Sequence, residues 1–367
     1  MIGVSKMNFE LTNEQVKERK EVIRFIESVL VQSEHIEDET FLKKSIERCK
    51  QFGLWEKILG KQTDWVTKIT LLIELAKAVP SFSALFIDLL MSRSFVSNEV
   101  NTEFLSTAFV EKQAGSDLSL IQTTAEKKNR ALVVNGEKWF VFNYQLADAF
   151  LVLAKTDQHS FVIVHVPRES KGIEIVEQKK MGLKEVKLGK IFFDNVEVSL
   201  SAATSINELR DLSKSFDVAK LAVSSLAIGI SEKALKASLE RVQSRQQFGK
   251  SIGDFQAIQF KIAEMTVQIN AAKSLLYDAA QKLDRGEDIQ AEAAMAKTFS
   301  SESARRIVNH AVQIYGAHGI LDDSIPANLY QDQRLTEIFA QTSEIQRTLI
   351  ADYVVKNIHK KVVDYGF

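Results

Sequence analysis

The sequence holds one cysteine, Cys49, in 367 residues, so no disulfide can form within the chain and a reducing compartment suits it. The cytoplasm is the expected location. Charge of one sign is equally lacking. Lys plus Arg number 47 against 48 for Asp plus Glu, which leaves no bulk attraction for nucleic acid or an anionic membrane. The six histidines, at 35, 159, 165, 310, 318 and 359, are scattered, and none stands at ligand spacing from another or from Cys49. A closed zinc site is therefore not expected. No apolar run is long and uncharged enough to cross a bilayer, and the first twenty residues hold no apolar core of signal-peptide length. No G-x-G-x-x-G or Walker-type loop is present to cradle a nucleotide.

What is present is a hydrophobic content of 45%, enough for a large core and more than one structural unit. Its rhythm changes twice. In "LTNEQVKERKEVIRFIESVL", Val16, Ile23, Ile26 and Leu30 fall on one helical face behind a Thr12 cap, with Gln15 three residues on. "WVTKITLLIELAKAV" keeps that rhythm and stops at Pro80. Residues 1–102 thus read as a helical front domain.

From 103 to 200 the period shortens. "RALVVNGEKWFVFN" reads as two β runs about a hairpin turn at Asn135-Gly136, and "DAFLVLAKT", "FVIVHV", "GIEIVE" and "KIFFDNVEV" read as further strands. With no long helices between them, they suit an antiparallel barrel or sandwich. Residues 201–367 return to long helical patterns. Phe255, Ile258, Ile262, Met265, Ile269, Leu276 and Leu283 recur at three, four or seven residues, a loop follows at 284–288, and the last helix is expected from about Glu337 toward Ile358. The fold expected is α+β, mainly α, ending in a four-helix bundle.

Five motifs occur in one order: "EKQAGSD" (111–117), "NGEKWFVFN" (135–143), "RQQFGKSIGDFQAIQFKIAEM" (245–265), "QIYGAHG" (313–319) and "TSEIQR" (342–347). Together they resemble the T-E-P-x-A-G-S-D, N-G-x-K-x-W-I-T-N, R-x-x-F-G, Q-x-x-G-G-x-G and terminal signatures of the acyl-CoA dehydrogenase family. The resemblance implies bound FAD, an acyl thioester of CoA or a carrier protein as substrate, and an electron-transfer acceptor. It also implies a homo-oligomer, dimer or tetramer, with the cofactor site built between subunits. By motif position Arg245 contacts the pyrophosphate and Phe248 packs by the adenine, a cationic fork and an apolar platform for those groups. Gln256 and Gln313 match contacts across the subunit interface, and Ser116 matches a serine near the phosphates. Gln247 and Gly316 belong to the same cofactor motifs, and Thr342 and Glu344 border the cofactor.

Three departures alter the reactive end. Val110 and Lys112 stand for the Thr and Pro of the first loop, and Phe140 and Phe142 for the Trp and Thr of the second, so two hydroxyl donors to the flavin ring are gone. Ala340 occupies the position where most members carry a glutamate that removes the α-proton. The alternative position used by a minority falls at about Ala219, beside Lys220, and Asp217 nearby is a weak candidate on a different helical face. The backbone N–H that polarises the thioester carbonyl does not depend on that side chain. The reading favoured is a specialised, FAD-dependent oxidation of an acyl thioester in secondary metabolism. A non-redox FAD- or thioester-binding protein, and an oxygenase or lyase on the same scaffold, are the alternatives.

Overall fold

The computed structural model describes residues 11–29, 39–95, 104–156, 160–206 and 208–361. They gather into two compact units, residues 1–84 with 220–367, and residues 85–219. The chain runs through α1 (Asn13–Val29), α2 (Glu39–Gln51), α3 (Leu54–Leu59), α4 (Trp65–Ala78) and α5 (Pro80–Arg93). Eight strands follow: β1 (Leu105–Ala108), β2 (Thr124–Lys128), β3 (Ala131–Phe142), β4 (Ala149–Lys155), β5 (Phe161–Pro167), β6 (Ile173–Gln178), β7 (Leu188–Ser199) and β8 (Ala203–Ile206). Then come α6 (Ser213–Ser244), the short strands β9 (Gln246–Gln247) and β10 (Lys250–Ser251), α7 (Gln256–Asp284), α8 (Gln290–Tyr315), α9 (Ile325–Ile338) and α10 (Ser343–Lys361). No helix among the described residues is long and apolar enough to cross a membrane.

In the helical unit the Thr12 box forms as read. The Thr12 N–H donates to Gln15 Oε1 at 2.9 Å, and the Gln15 N–H donates to Thr12 Oγ1 at 3.2 Å. Helix α4 starts on two carboxylates. Asp64 accepts from the Thr67 N–H at 2.7 Å, while Asp284, at the end of α7, accepts from the N–H groups of Trp65 and Val66 at 2.6 and 3.2 Å. Orphan amides of the first turn are thereby satisfied. Ile69 and Ile73 of α4 pack with Leu276, Ala280, Ala293 and Ala296 in one apolar cluster. Gly229 lets α6 approach α4 closely, because a Cβ there would lie 2.4 Å from the Ala76 Cβ and 2.7 Å from the Ile73 carbonyl.

The four longest helices after residue 212 are α6, α7, α8 and α10, consistent with the bundle expected. The last of them begins later than its rhythm suggested. Glu337 lies near the end of α9, and the chain then turns through 339–342 before α10 starts at Ser343. Ala340 and Gln341 take left-handed φ values of 51° and 71°, which stop the helix without glycine or proline.

The other unit is built on an eight-stranded sheet with the path β6-β7-β3-β2-β4-β5-β8 and β1 beside β4. Most pairs are antiparallel, as expected, but β1 runs parallel to β4, with Leu105 opposite Ala149 and Ala108 opposite Val152. The single β2–β4 contact, Thr124 opposite Lys155, is also parallel. Strands β1 and β2 therefore follow one another along the same edge of β4, and residues 109–123 are an excursion between them. Val134, Phe150, Val152, Val164, Ile191 and Val196 fill the core with no exposed surface.

The hairpin expected at Asn135-Gly136 does not form. Strand β3 runs straight through it, with a bulge between Val134 and Gly136. Two contacts explain the difference. Asn135 Oδ1 accepts from the Asn195 N–H at 2.8 Å, so its side chain serves β7 rather than a turn. Gly136, at φ 143°, has no room for a Cβ, which would fall 2.5 Å from Thr123 Oγ1 and 2.7 Å from Thr123 Cα. The glycine is there for close backbone approach. Gly136→Ala is expected to lower unfolding stability by about 1–3 kcal/mol, measurable by urea denaturation; an unchanged midpoint would contradict this account of the bulge.

Candidate functional site

In the sheet unit, two of the family-like motifs are joined by one buried ion pair. Lys138 Nζ, fully buried, donates to Glu111 Oε1 at 2.7 Å and to the Phe109 carbonyl at 3.2 Å. Glu111 also accepts from the Gln122 N–H at 2.6 Å and from the N–H and hydroxyl of Thr123 at 3.0 and 2.6 Å. Burial alone would raise the Glu111 pKa, but the Lys138 ammonium and these donors outweigh it and hold the carboxyl below its usual range. Burial, partly offset by Glu111, brings Lys138 down to about 8, so the pair is ionised at neutral pH. The Trp139 N–H donates to the Val110 carbonyl at 2.8 Å and completes the link. The motif reading passed over both roles, although Glu111 and Lys138 stand at fixed letters of the two signatures.

A second bulge, between Lys138 and Val141, sets Phe140 at φ 56° and leaves it 53% exposed. Its N–H donates to Gln178 Oε1 at 2.9 Å. Phe142, by contrast, is buried, and its carbonyl accepts from Ser106 Oγ. Of the two phenylalanines, only Phe140 offers a ring to a ligand. Asn143 donates through Nδ2 to the Leu85 carbonyl at 3.3 Å, while its buried Oδ1 has no protein partner. Ser116 and Lys112 are exposed on the 109–123 excursion. Behind β1, Asp88 is wholly buried and accepts from the Thr107 N–H at 3.2 Å and hydroxyl at 2.5 Å. Burial raises its carboxyl to about 7 against those hydrogen bonds and one with Ser106.

In the helical unit, the residues read as cofactor contacts fall at two places. At the end of α6 the chain makes a tight hairpin through Phe248 (φ 52°) and Gly249 (φ 78°), with Lys250 paired to Gln247. This turn lifts Phe248 into solvent at 93% exposure, edge-on to Phe255 at 6.2 Å. Arg245, Gln247 and Gln256 are exposed beside it, and Arg245 has no carboxylate partner among the described residues. The turn after α8 joins this end of the bundle. Tyr315 Oη donates to the Ala237 carbonyl at 3.2 Å, and Arg241 lies 3.3 Å from His318 Nδ1 and 5.4 Å from the Tyr315 ring. Gln313 and Gly316 (φ 62°) are exposed there.

The second place is the 339–342 turn. Lys297, on α8 and fully buried, donates to the Glu337 carbonyl at 2.9 Å and the Gln341 carbonyl at 2.8 Å. Gln346 Nε2 reaches the carbonyls of Ala340 and Gln341 at 3.4 and 3.3 Å. Ala340 is buried, Thr342 is half-buried and accepts from the Ile345 N–H at 3.5 Å, and Glu344 is exposed. Gln341 Oε1, Ser343 Oγ and Gln346 Oε1 are buried here without a protein partner. Sixteen positions separate Lys297 from Gln313 on α8, so the two places lie about 24 Å apart along that helix. Asp217 is the fifth residue of α6 and is buried, as is Lys220. No group of three His, Cys, Asp or Glu able to hold a metal ion occurs among the described residues.

Comparison with known proteins agrees with this layout. The model of the acyl-CoA dehydrogenase middle domain matches residues 106–196, and that of the acyl-CoA dehydrogenase C-terminal domain matches residues 209–355. A probable acyl-CoA dehydrogenase, YngJ, of Bacillus subtilis (strain 168) is 31% identical across 95% of this chain and 100% of its own. The chain belongs to the acyl-CoA dehydrogenase family. The structure of butyryl-CoA dehydrogenase from Megasphaera elsdenii superposes with a TM-score of 0.85 at 26% identity, over 95% of this chain and 100% of that one. The prolyl acyl carrier protein oxidase AnaB superposes with a TM-score of 0.84 at 25% identity, over 94% and 100%.

FAD is the cofactor of this family, and the residues present fit it. A solvent-lifted aromatic ring beside a guanidinium with no carboxylate partner among the described residues suits adenine and pyrophosphate. In the helical unit, Gln341 Oε1, Ser343 Oγ and Gln346 Oε1, buried and without a partner among the described residues, are polar groups of the kind a bound polar ring system satisfies.

Two expectations follow. Lys138→Met strands the buried Glu111 carboxylate and should cost on the order of 3–5 kcal/mol of stability, and adding Glu111→Gln should recover part of it in denaturant unfolding; an unaltered single variant contradicts the ion-pair account. For Lys297, burial lowers the pKa to about 7 against the charges of Glu337, Glu344 and Glu302, with Lys220 acting in the same sense as burial. The unfolded chain keeps this proton up to about pH 10.4. Folding therefore releases it between about pH 7 and 10, and the Lys297 contribution to stability must rise with pH there, by about 1.4 kcal/mol per unit at most. Lys297→Met should flatten the wild-type slope in a pH series of unfolding curves.

Proposed function

We propose that this FAD-dependent acyl-thioester oxidoreductase carries out a specialised oxidation on an acyl group whose departing proton needs no carboxylate base. The observation that carries the reading is Ala340, which leaves a methyl group at the family's base position while the turn that holds it stays fully braced. A substrate with a hydroxyl or amine on the carbon that is oxidised fits. The C–H bond then gives up two electrons and the heteroatom-bound proton is acidified as the carbonyl or imine forms. A thioester with an unusually acidic α-proton is the other substrate of this kind. AnaB, named for a prolyl group on an acyl carrier protein, supports a nitrogen-bearing, carrier-bound acyl group as one member of the class.

Bound FAD supplies the two-electron acceptor. Arg245 and Phe248 would hold its phosphates and adenine with the help of Gln247 and Gly316, and Ser116 stands at the family's serine position for a further polar contact to it. Phe140 gives an apolar face in place of tryptophan. The main-chain N–H at Ala340 donates to the thioester oxygen and draws charge from the reacting carbon. The family resemblance supports a cofactor site shared between copies of the chain, in a homodimer or a dimer of dimers, and the spacing of about 24 Å along α8 between the Arg245–Phe248 hairpin and the Thr342–Glu344 segment is compatible with it. Val110 and Phe142 take away two ring donors, which lowers the flavin potential or shifts its pose.

Anaerobic titration of the purified yellow protein with thioesters of graded α-acidity, and with 2-hydroxyacyl and 2-aminoacyl thioesters on CoA and on carrier protein, tests this directly. Bleaching near 450 nm is expected for the activated acyl groups and not for simple saturated ones. Flavin that no thioester reduces would leave a binding protein instead. Ala340→Glu should raise desaturation of ordinary saturated acyl-CoA by roughly 10²–10⁴-fold; no change would mean that the base is not what limits that reaction.

A further inference from the structure

The geometry points to Lys297 as a positioning residue for the reaction: by holding the carbonyls of Glu337 and Gln341, it fixes the 339–342 turn and so the direction of the main-chain N–H at Ala340. This rests on the turn being the thioester-facing segment, as proposed above.

Three observations on the chain itself support the assignment. First, the turn is made by residues that do not favour it. Ala340 and Gln341 both sit at left-handed φ, and neither is glycine or asparagine, so something outside the turn must hold them there. Second, the holding groups come from the helices on either side. Lys297 of α8 takes one carbonyl before Ala340 and one after it, at 2.9 and 2.8 Å, and Gln346 of α10 takes the carbonyls of Ala340 and Gln341. With the carbonyls of Glu337, Ala340 and Gln341 all held, the chain around Ala340 has little freedom to turn its N–H. Third, Lys297 is a poor choice for stability alone. Its Nζ is wholly buried and meets two carbonyl oxygens, with its nearest charged partners weighed against another buried lysine, Lys220. An ammonium in that setting carries a desolvation cost that an apolar side chain of equal length would avoid. Features that work against stability are expected where function needs them.

Lys297 is not placed as a substitute base. Its donors are committed to the main chain on the inside of the bundle, and no described atom of the turn other than those carbonyls receives its proton. Its part is carried through the backbone. With a methyl group at 340, the peptide unit is the only polar element that position offers a substrate, and its aim matters more than in a relative that also has a carboxylate.

Hydrogen–deuterium exchange on the full-length, FAD-loaded protein, read alongside turnover, tests the proposal. In Lys297→Met the amides of 339–344 should exchange at least about tenfold faster with the remainder of α8 unchanged, while FAD stays at wild-type stoichiometry. On a substrate identified by the titration, kcat should fall by roughly 10- to 100-fold with KM within about threefold, since a misaimed donor costs the transition state more than the ground state. Lys297→Arg, which keeps a cationic donor, should recover part of both. Should Lys297→Met fail to accumulate as folded protein, Gln346→Leu, which removes the other brace, should give the same local loosening to a smaller extent. Exchange at 339–344 that is unchanged, or accelerated equally in every helix, overturns the assignment. If no thioester reduces the wild-type flavin, the functional reading fails, yet the exchange comparison still decides whether Lys297 braces the turn.

Discussion

In each unit, a buried ammonium group bonded to main-chain oxygen is the constraint on which the candidate functional residues depend. In the sheet unit Lys138 binds the Phe109 carbonyl and the Glu111 carboxylate; in the helical unit Lys297 binds the carbonyls of Glu337 and Gln341. In each case the lysine stands on a regular element, strand β3 or helix α8, and reaches into irregular chain. Irregular backbone cannot satisfy its own polar groups as a helix or sheet does, and a long cationic side chain with three donors can serve several carbonyls at once. The two lysines differ in one respect. Lys138 has a carboxylate within hydrogen-bonding distance and remains charged at neutral pH, whereas Lys297 relies on carbonyl dipoles and more distant charges, so its proton is held less firmly.

The braces keep different things in place. Around Glu111 they fix a loop whose exposed members, Lys112 and Ser116, face outward, and they tie that loop to the strand that carries Phe140. Around Ala340 they fix a turn whose side chain is only a methyl group: the left-handed pair, both Lys297 contacts to carbonyls and the buried amide of Gln346 leave the main chain as the ordered polar element of the turn.

Much of the fold was legible in the sequence, and the limits were physical. The Thr12–Gln15 box, the seven-residue rhythm of α7 and the strand runs are local signals, and local signals survived. The Asn135-Gly136 reading failed because the same dipeptide that favours a two-residue turn also permits a bulge, and the choice was made by Thr123, thirteen residues before Gly136 and pressing on it. The late start of α10 was hidden because Ala340 and Gln341 are good helix formers; only Lys297, over forty residues earlier, shows why they leave the helix. At the site, the motifs mark Arg245, Phe248 and Gly316 as cofactor contacts, and the structure shows all three exposed at turns that end long helices. They could not separate Phe140, which is open, from Phe142, which is closed, since alternation along β3 is broken by the second bulge. Asp88 carried no signal at all, because its partners Ser106 and Thr107 belong to another element.

Asp88 also bears on how the end of β3 is set. Its carboxyl is bonded to Thr107 and associated with Ser106, and the Ser106 hydroxyl is spent on the carbonyl of Phe142. Asn143, the next residue, is held to α5 through the Leu85 carbonyl, one helical turn before Asp88. The end of β3 is therefore stapled to α5 by polar groups with almost no access to water, an environment in which each hydrogen bond is strong and each unpaired group costly. A hydroxyl side chain at 142 would have needed a partner in that setting; a phenyl ring needs only volume, and the backbone carbonyl supplies the polar contact instead. Positions 142 and 340 have one thing in common: each carries an apolar side chain on a main chain whose carbonyl is held by a buried polar group from a neighbouring element, Ser106 at Phe142 and Gln346 at Ala340.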